Sequence, residues 1–253
     1  MRIIRYQEPD SPPQYGWITG EKVGPITGEI FGAFQRAEAK IPLDTVRLLP
    51  PATPSKIICV GRNYAAHAKE HGVDVPEIPL IFLKPPSSLI ADGETIYLPP
   101  QSQQVEHEAE LTIVIGKQGR WIAPEDALSH VFGYTIANDV TARDLQRRDG
   151  QWTRAKGFDT FCPVGPWIET EFNPADAVIT CNVNDELRQM GSTHDMIFTI
   201  PQLVAYISSI MTLEAGDLIL TGTPSGVSPL HPGDIVEVKI EGIGKLSNPV
   251  AAR

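Results

Sequence analysis

No stretch of this chain runs far before a proline or a glycine interrupts it. The 23 prolines and 21 glycines cut the sequence into short pieces, and short pieces suit strands and turns better than long helices. Several pieces are rich in β-branched residues: KIICV (56–60), LTIVI (111–115), AVITCNV (177–183), DLILTG (217–222) and DIVEVKI (234–240). Each reads as a strand. Helical spacing is rarer and is clearest at 64–70, 141–148 and 200–209. The fold class expected is therefore α+β, mainly β. Late in the chain, TLEAGDLILTGTPSGV and HPGDIVEVKIEGIGKL read as paired hairpin segments punctuated by Gly and Asp. Prolines crowd at PLDTVRLLPPATPSK (42–56), which marks residues 1–50 as a small N-terminal module and 51–253 as the main domain.

Composition excludes several function classes. A net charge of −10 argues against a nucleic-acid partner, which needs clustered Lys and Arg. No run approaches the length of a membrane span, and the polar start MRIIRYQEPD does not read as a signal peptide. The three cysteines, Cys59, Cys162 and Cys181, show no CxxC pairing and read as reduced, packed thiols. A cytoplasmic protein is the default expectation. P-loop, GxGxxG, GxSxG and HExxH patterns are all absent, so nucleotide binding and serine hydrolysis lack support.

The stretch VEHEAELTIVIG (105–116) carries the first chemical signal. As one strand it would aim Glu106, Glu108 and Glu110 to one face and His107, Ala109, Leu111, Ile113 and Ile115 to the other. Such carboxylates either face solvent or need a counter-charge. Asp139 ends another apolar stretch, FGYTIAND, where it is placed as a helix N-cap or as a further acid. Carboxylates converging in a partly buried cleft raise one another's pKa, and a hard cation relieves the repulsion. Oxygen-only ligation favours Mg2+, Mn2+ or Ca2+ over Zn2+.

Other candidates are compatible with more than one reading. In GRNYAAHAKEHG (61–72), His67 and Glu70 share a helical face, an arrangement suited to a general base. On spacing alone His71 and Glu77 are equally placed. Lys156, among aromatic, Gly and Pro residues in RAKGFDTFCPVGP, is either a loop lysine in solvent or a buried cation that needs an anionic partner. Arg143 and Gln146 follow Asp139 at helical spacing. Arg143 can hold a substrate carboxylate or pair with Asp144 or Asp149. TGTPSGV (221–227) is either a tight turn or an oxyanion-binding loop.

In order, GRNYAAHAKE, FLKPPSSLI, EHEAELTIVIG, GYTIANDVTARDLQ, AKGFDTFCPVGP and LILTGTPSGV resemble the fumarylacetoacetate hydrolase family, from about residue 56 to the C-terminus. The short module ahead is usual in the branch that resembles bacterial 2-hydroxyhepta-2,4-diene-1,7-dioate isomerases, acylpyruvases and decarboxylases. The resemblance implies a layered β-roll, assembled as a homodimer, with Mg2+ or Mn2+ held by Glu108 and Glu110 of the HExE motif and Asp139 of the ND motif. Glu106 lies outside that set. It implies a catalytic dyad of His67 and Glu70 on a lid helix, with Lys156 neutralising developing charge. Arg143, Gln146 and Thr223 match substrate-contacting positions, and Arg62 a further position near the lid. The activity implied is C–C bond hydrolysis of acylpyruvate-type 2,4-dioxo acids through an enolate that the metal stabilises. Oxaloacetate decarboxylation or tautomerisation, or 5-carboxymethyl-2-hydroxymuconate-type isomerisation, would use the same residues. A non-catalytic scaffold or binding protein is the reading from another class, and the intact dyad, lysine and acids argue against it.

Overall fold

Strands dominate the computed structural model, which describes residues 1–70, 72 and 74–253. Among the described residues the strands form a large sheet of 13 strands, a second sheet of five and a short two-stranded pair. The fold is α+β and mainly β, as composition and periodicity indicate. The runs read as strands are found at Ile57–Gly61, Ala109–Ile115, Val178–Val183, Leu218–Leu220 and Ile235–Ile240.

The strand Ala109–Ile115 is the centre of the design. It pairs with Val131–Asn138 on one side and with Leu218–Leu220 on the other. All seven of its residues are buried, which explains the unbroken apolar run after Glu110. The second sheet runs in the order Ile96–Leu98, Gly244–Ala252, Ile235–Ile240, Val178–Val183, Glu186–Ser192. Asn184 and Asp185, both at positive φ, make the tight turn between its last two strands. Its inner residues Ile179, Cys181, Val236 and Val238 join Leu111, Ile113 and Ile136 of the large sheet in one apolar cluster, so the main core lies between the sheets. A second cluster includes Ile3, Ile26, Ile57, Val114, Val164 and Leu220.

Residues 1–50 extend the large sheet. Strands Arg2–Gln7, Gln14–Thr19 and Lys22–Gly28 are hydrogen-bonded in sequence, and Arg2–Gln7 continues them onto Cys162–Glu169. Helix α1 is Ala65–Glu70, α2 is Arg143–Asp149, α3 is Thr153–Lys156 and α4 is Ile200–Ile210. In α4, Ile200, Leu203, Val204 and Ile207 are buried at helical spacing behind a Thr199–Gln202 capping box. No helix among the described residues is long and apolar enough to cross a membrane.

Three expectations need correction. The stretch 105–116 is not one strand: Val105–Glu106 pairs with Thr141–Ala142, and the ladder resumes only at Ala109. The break arises because the Glu108 backbone N–H is taken by the Asn138 side chain at 2.9 Å. Helix α2 begins at Arg143, since Thr141 and Ala142 are spent on that short pairing. The two late segments are not partners. Leu218–Leu220 is buried on both faces, inserted between Ala109–Ile115 and Ile57–Gly61, whereas Ile235–Ile240 forms its hairpin with Gly244–Ala252 in the other sheet.

Candidate active site

Strand register brings the acids together. Ala109 pairs with Asn138, so Glu108 and Asp139 leave the ladder side by side, and the Asp139 N–H donates to the Glu108 carbonyl at 2.9 Å. Glu110 is two residues further in. On its other flank Thr112 pairs with Leu220, which brings the Gly222 N–H to Glu110 Oε2 at 2.7 Å. Glu108, Glu110 and Asp139 are all buried, and each offers a carboxylate oxygen within 4.8 Å of the others.

Three buried cations balance this cluster. Lys156, the last residue of α3, donates to Glu108 Oε2 at 2.8 Å and to Asp139 Oδ2 at 2.7 Å. Lys84, at the end of the strand Leu80–Lys84, donates to Asp139 Oδ1 at 2.6 Å and to the Val140 carbonyl at 3.2 Å. Arg143 begins α2 and spreads its guanidinium over Glu106 (2.7 Å from Nε), Glu108 and Gln146 (2.7 Å from Nη1). Arg143 therefore pairs with neither Asp144 nor Asp149, which are engaged by Ser102 and Arg154. Lys156 is 2 % exposed, which settles the choice between solvent loop and buried cation.

The electrostatics divide the acids. Burial alone would raise the Glu108 carboxyl, but Lys156 and Arg143 outweigh it and hold the group well below the usual carboxylate range. Burial likewise drives Glu110 upward, and there the Asp139 and Glu108 carboxylates add to the effect. Burial would lower Lys156, yet Asp139 and Glu108 keep its ammonium above the ordinary lysine value. Among the described residues the buried lysines and arginine at these four acids are Lys84, Lys156 and Arg143, and they form direct ion pairs with Glu106, Glu108 and Asp139 but not with Glu110. A divalent cation among three hard oxygen donors would supply the missing charge, so the residues fit such an ion.

Glu108, Glu110, Asp139, Arg143 and Lys156 line a cavity of about 280 Å3 that also takes in Arg62, His67, Gln146, Thr223, Phe82 and Trp152. His67 is buried on α1, with Nδ1 3.3 Å from Glu70 Oε2. Glu70 stands behind His67, outside the lining. Arg62, at φ +59, lies with its guanidinium 6.0 Å from the centre of the Trp152 ring. Of the alternatives to the dyad, Glu77 is exposed and away from the cavity, and His71 lies outside the described residues.

Sequence reasoning did not single out Lys84 or Gln189. Lys84 appears only within FLKPP, where nothing local marks it as buried. Gln189 is fully buried, accepts from His107 Nδ1 at 2.8 Å and donates to Thr223 Oγ1 at 2.8 Å. It stands 82 residues from His107, and no local signal links the two.

Comparison with known proteins identifies the family. Residues 56–251 match the family model described as fumarylacetoacetate (FAA) hydrolase C-terminal, and residues 1–51 match the model described as Rv2993c-like, N-terminal. The chain is 46% identical to the mitochondrial oxaloacetate tautomerase FAHD2A of Homo sapiens over 223 residues, 83% of this chain and 71% of the relative. The crystal structure of 2-hydroxyhepta-2,4-diene-1,7-dioate isomerase from Mycobacterium marinum superposes with a TM-score of 0.93 at 44% identity, covering 100% of this chain and 99% of the other. Maleylpyruvate hydrolase from Sphingobium sp. SYK-6, solved with manganese(II) and pyruvate, superposes with a TM-score of 0.82 at 33% identity, covering 100% and 99%.

Proposed function

The chain belongs to the fumarylacetoacetate hydrolase family, and from that premise we propose that it is a divalent-metal-dependent enzyme that cleaves the C–C bond of a short acylpyruvate-type 2,4-dioxo acid. One observation carries the reading: a buried imidazole backed by a carboxylate opens on the same small cavity as three converging acids and a buried lysine. Glu108, Glu110 and Asp139 would hold Mg2+ or Mn2+. Such an ion, when bound, supplies Lewis acidity to the 2-oxo end of the substrate.

The protein groups divide the remaining work. The cavity is close to the smallest that ligand sites usually offer, about 300 Å3, so it suits an acid of few carbons. Phe82 and Trp152 give it an apolar wall, and their rings meet edge to face at 5.2 Å. Glu70 faces Nδ1 of His67, which makes Nε2 the nitrogen that takes the proton of an attacking water. The hydroxide oxygen bonds to the distal carbonyl carbon. The C–C bond to the pyruvate half then breaks, and its electron pair passes into the pyruvate enolate. Lys156, already between two carboxylates, balances the enolate charge and returns a proton to carbon.

Tautomerisation of oxaloacetate is a second reading, favoured by the 46% identity to a tautomerase. It needs the same base and the same enolate with no water attack. The test supplies acetylpyruvate and oxaloacetate separately, with Mg2+ or Mn2+, to the wild type and to His67→Ala. Acetate plus pyruvate from acetylpyruvate, lost by about 100- to 10,000-fold in the variant, supports hydrolysis. Enol-to-keto conversion of oxaloacetate with no turnover of acetylpyruvate would transfer the site to the tautomerase reading. Release of CO2 would make it a decarboxylase.

A further inference from the structure

The carboxylate of the dyad is held from outside its own helix. The backbone N–H of Gly226 donates to Glu70, 3.0 Å from Oε1 and 3.3 Å from Oε2. Gly226 has φ +100, and a Cβ there would stand 2.1 Å from the Arg188 carbonyl oxygen, so only glycine lets the loop lie this close to the strand Glu186–Ser192. The position of the loop is fixed from that strand by Gln189, which is fully buried and absent from the cavity lining.

The hydrogen bonds of Gln189 define its orientation. The Ala109 N–H can only donate, and it meets Oε1 at 3.1 Å. The Pro224 carbonyl can only accept, and it meets Nε2 at 2.7 Å. With the amide so placed, His107 Nδ1, 2.8 Å from Oε1, must carry the ring proton, and His107 Nε2 accepts from Ser228 Oγ at 2.8 Å. The second Nε2 hydrogen goes to Thr223 Oγ1, which passes its own to the Ala109 carbonyl at 2.8 Å. This network uses the whole carboxamide and ties the Thr223 end of the 223–228 loop to the strand that carries Glu110, and the Ser228 end to His107 just ahead of that strand.

We propose that Gln189 is a positioning residue for the reaction: it clamps the 223–228 loop so that the Gly226 amide holds Glu70, and through it His67, at a set place relative to the acids. The proposal rests on the reading of His67 and Glu70 as the base pair. Gln189 touches no reacting atom and acts through the loop it holds: through Thr223, which lines the cavity, and through Gly226 and Glu70.

Gln189→Glu separates the two sides of the network. A carboxylate still accepts from Ala109 and His107, but it sets an oxygen against the Pro224 carbonyl and cannot donate to Thr223. With the wild type's preferred substrate, kcat is expected to fall about ten- to a hundredfold. Mn2+ affinity, measured by titration, is expected to stay unchanged, and hydrogen exchange at the Gly226 amide to accelerate. A variant that was merely less folded would lose Mn2+ sites in proportion to activity. Ser228→Ala, at a partly exposed position, releases the far end of His107 and gives the same signature more weakly; it decides the matter if Gln189→Glu does not fold. Wild-type kcat and wild-type Gly226 protection in the folded variants, alongside an inactive His67→Ala, would overturn the positioning role alone. An active His67→Ala would instead remove the dyad reading on which it stands.

Discussion

Glu110 carries the sharpest conflict in the molecule. Its carboxyl is fully buried, keeps one hydrogen bond from the Gly222 backbone, and is pushed upward by burial and by the Asp139 and Glu108 charges. A carboxyl whose folded value is raised stabilises the fold while it is protonated, below the usual carboxylate range. That contribution is lost as pH rises through the folded value. Glu108 runs the other way: its value is lowered, so its contribution is present above the usual range and fades in acid. In chelator-treated protein, then, raising the pH from about 5 to 8 should cost stability at Glu110, and Mn2+ should restore it. Glu110→Gln, which keeps the shape and removes the charge, is expected to raise Tm in chelator at pH 8 and to abolish the Mn2+-induced rise. Each kcal/mol corresponds to about 2–4 °C in a chain of this size. A Glu110→Gln protein that still gained the wild-type Tm increment from Mn2+ would remove Glu110 from the ligand set. The acids were legible in the sequence because two strand ends advertise them: Glu108 and Glu110 precede an apolar run, and Asp139 closes another. Of the cations, Lys156 and Arg143 were legible only as candidates with a solvent or surface-pair alternative, and Lys84 not at all, because a lysine's burial is decided by the fold around it and not by its neighbours in sequence.

At the scale of elements, what periodicity could show was which pieces are strands, and what it could not show was which strands meet. The buried runs at 57–61, 111–115 and 218–220 were readable from their β-branched residues, but their adjacency comes from pairings over 100 residues apart, such as Thr112 with Leu220. The hairpin misreading of 212–246 has this cause: Gly and Asp mark turns without saying which strands they join. Helix α3 was missed because four residues, Thr153–Lys156, leave no period to detect. Yet α3 matters, since it delivers Lys156 and is entered through Trp152, which packs on the end of the strand Ile57–Gly61. A Cβ at Gly61 would lie 2.8 Å from the Trp152 ring. Gly61→Ala must push that ring, one wall of the cavity, at a cost of about 1–3 kcal/mol for overpacking. Because the ring lines the cavity apart from the His67–Glu70 pair, KM is expected to rise more than kcat falls. A variant with unchanged KM would show that Trp152 takes no part in binding.

The whole molecule explains why a site built entirely from residues beyond position 56 depends on the first fifty. The strand Cys162–Glu169 pairs with Val131–Asn138, which leads into Asp139, and on its other edge with Arg2–Gln7. Ile3, Ile26 and Ile30 share a core cluster with Ile57, Cys59, Val114, Ala137 and Leu220. Val114 and Ala137 belong to the strands that carry Glu110 and lead into Asp139, and Leu220, Ile57 and Cys59 to the strands paired alongside, so one layer of apolar side chains backs the site and is supplied from both parts of the chain. Removing residues 1–50 would bare Val164 and Ile168 on an edge strand with open backbone groups, the usual route to edge-to-edge association. The fragment 51–253 is therefore expected to elute as aggregate in size-exclusion chromatography. A gentler probe is Ile3→Ala in the full chain, which opens a cavity at a fully buried position. It is expected to cost about 2–5 kcal/mol and so roughly 4–20 °C in Tm. Mn2+ affinity of the folded fraction should hold, since none of the acids is touched. A monodisperse fragment with wild-type Mn2+ affinity would mean that the shared cluster is dispensable and that the sheet tolerates a bare edge there. An aggregated fragment beside a folded, metal-binding Ile3→Ala protein would place the dependence in edge protection and core area, not in the acids themselves.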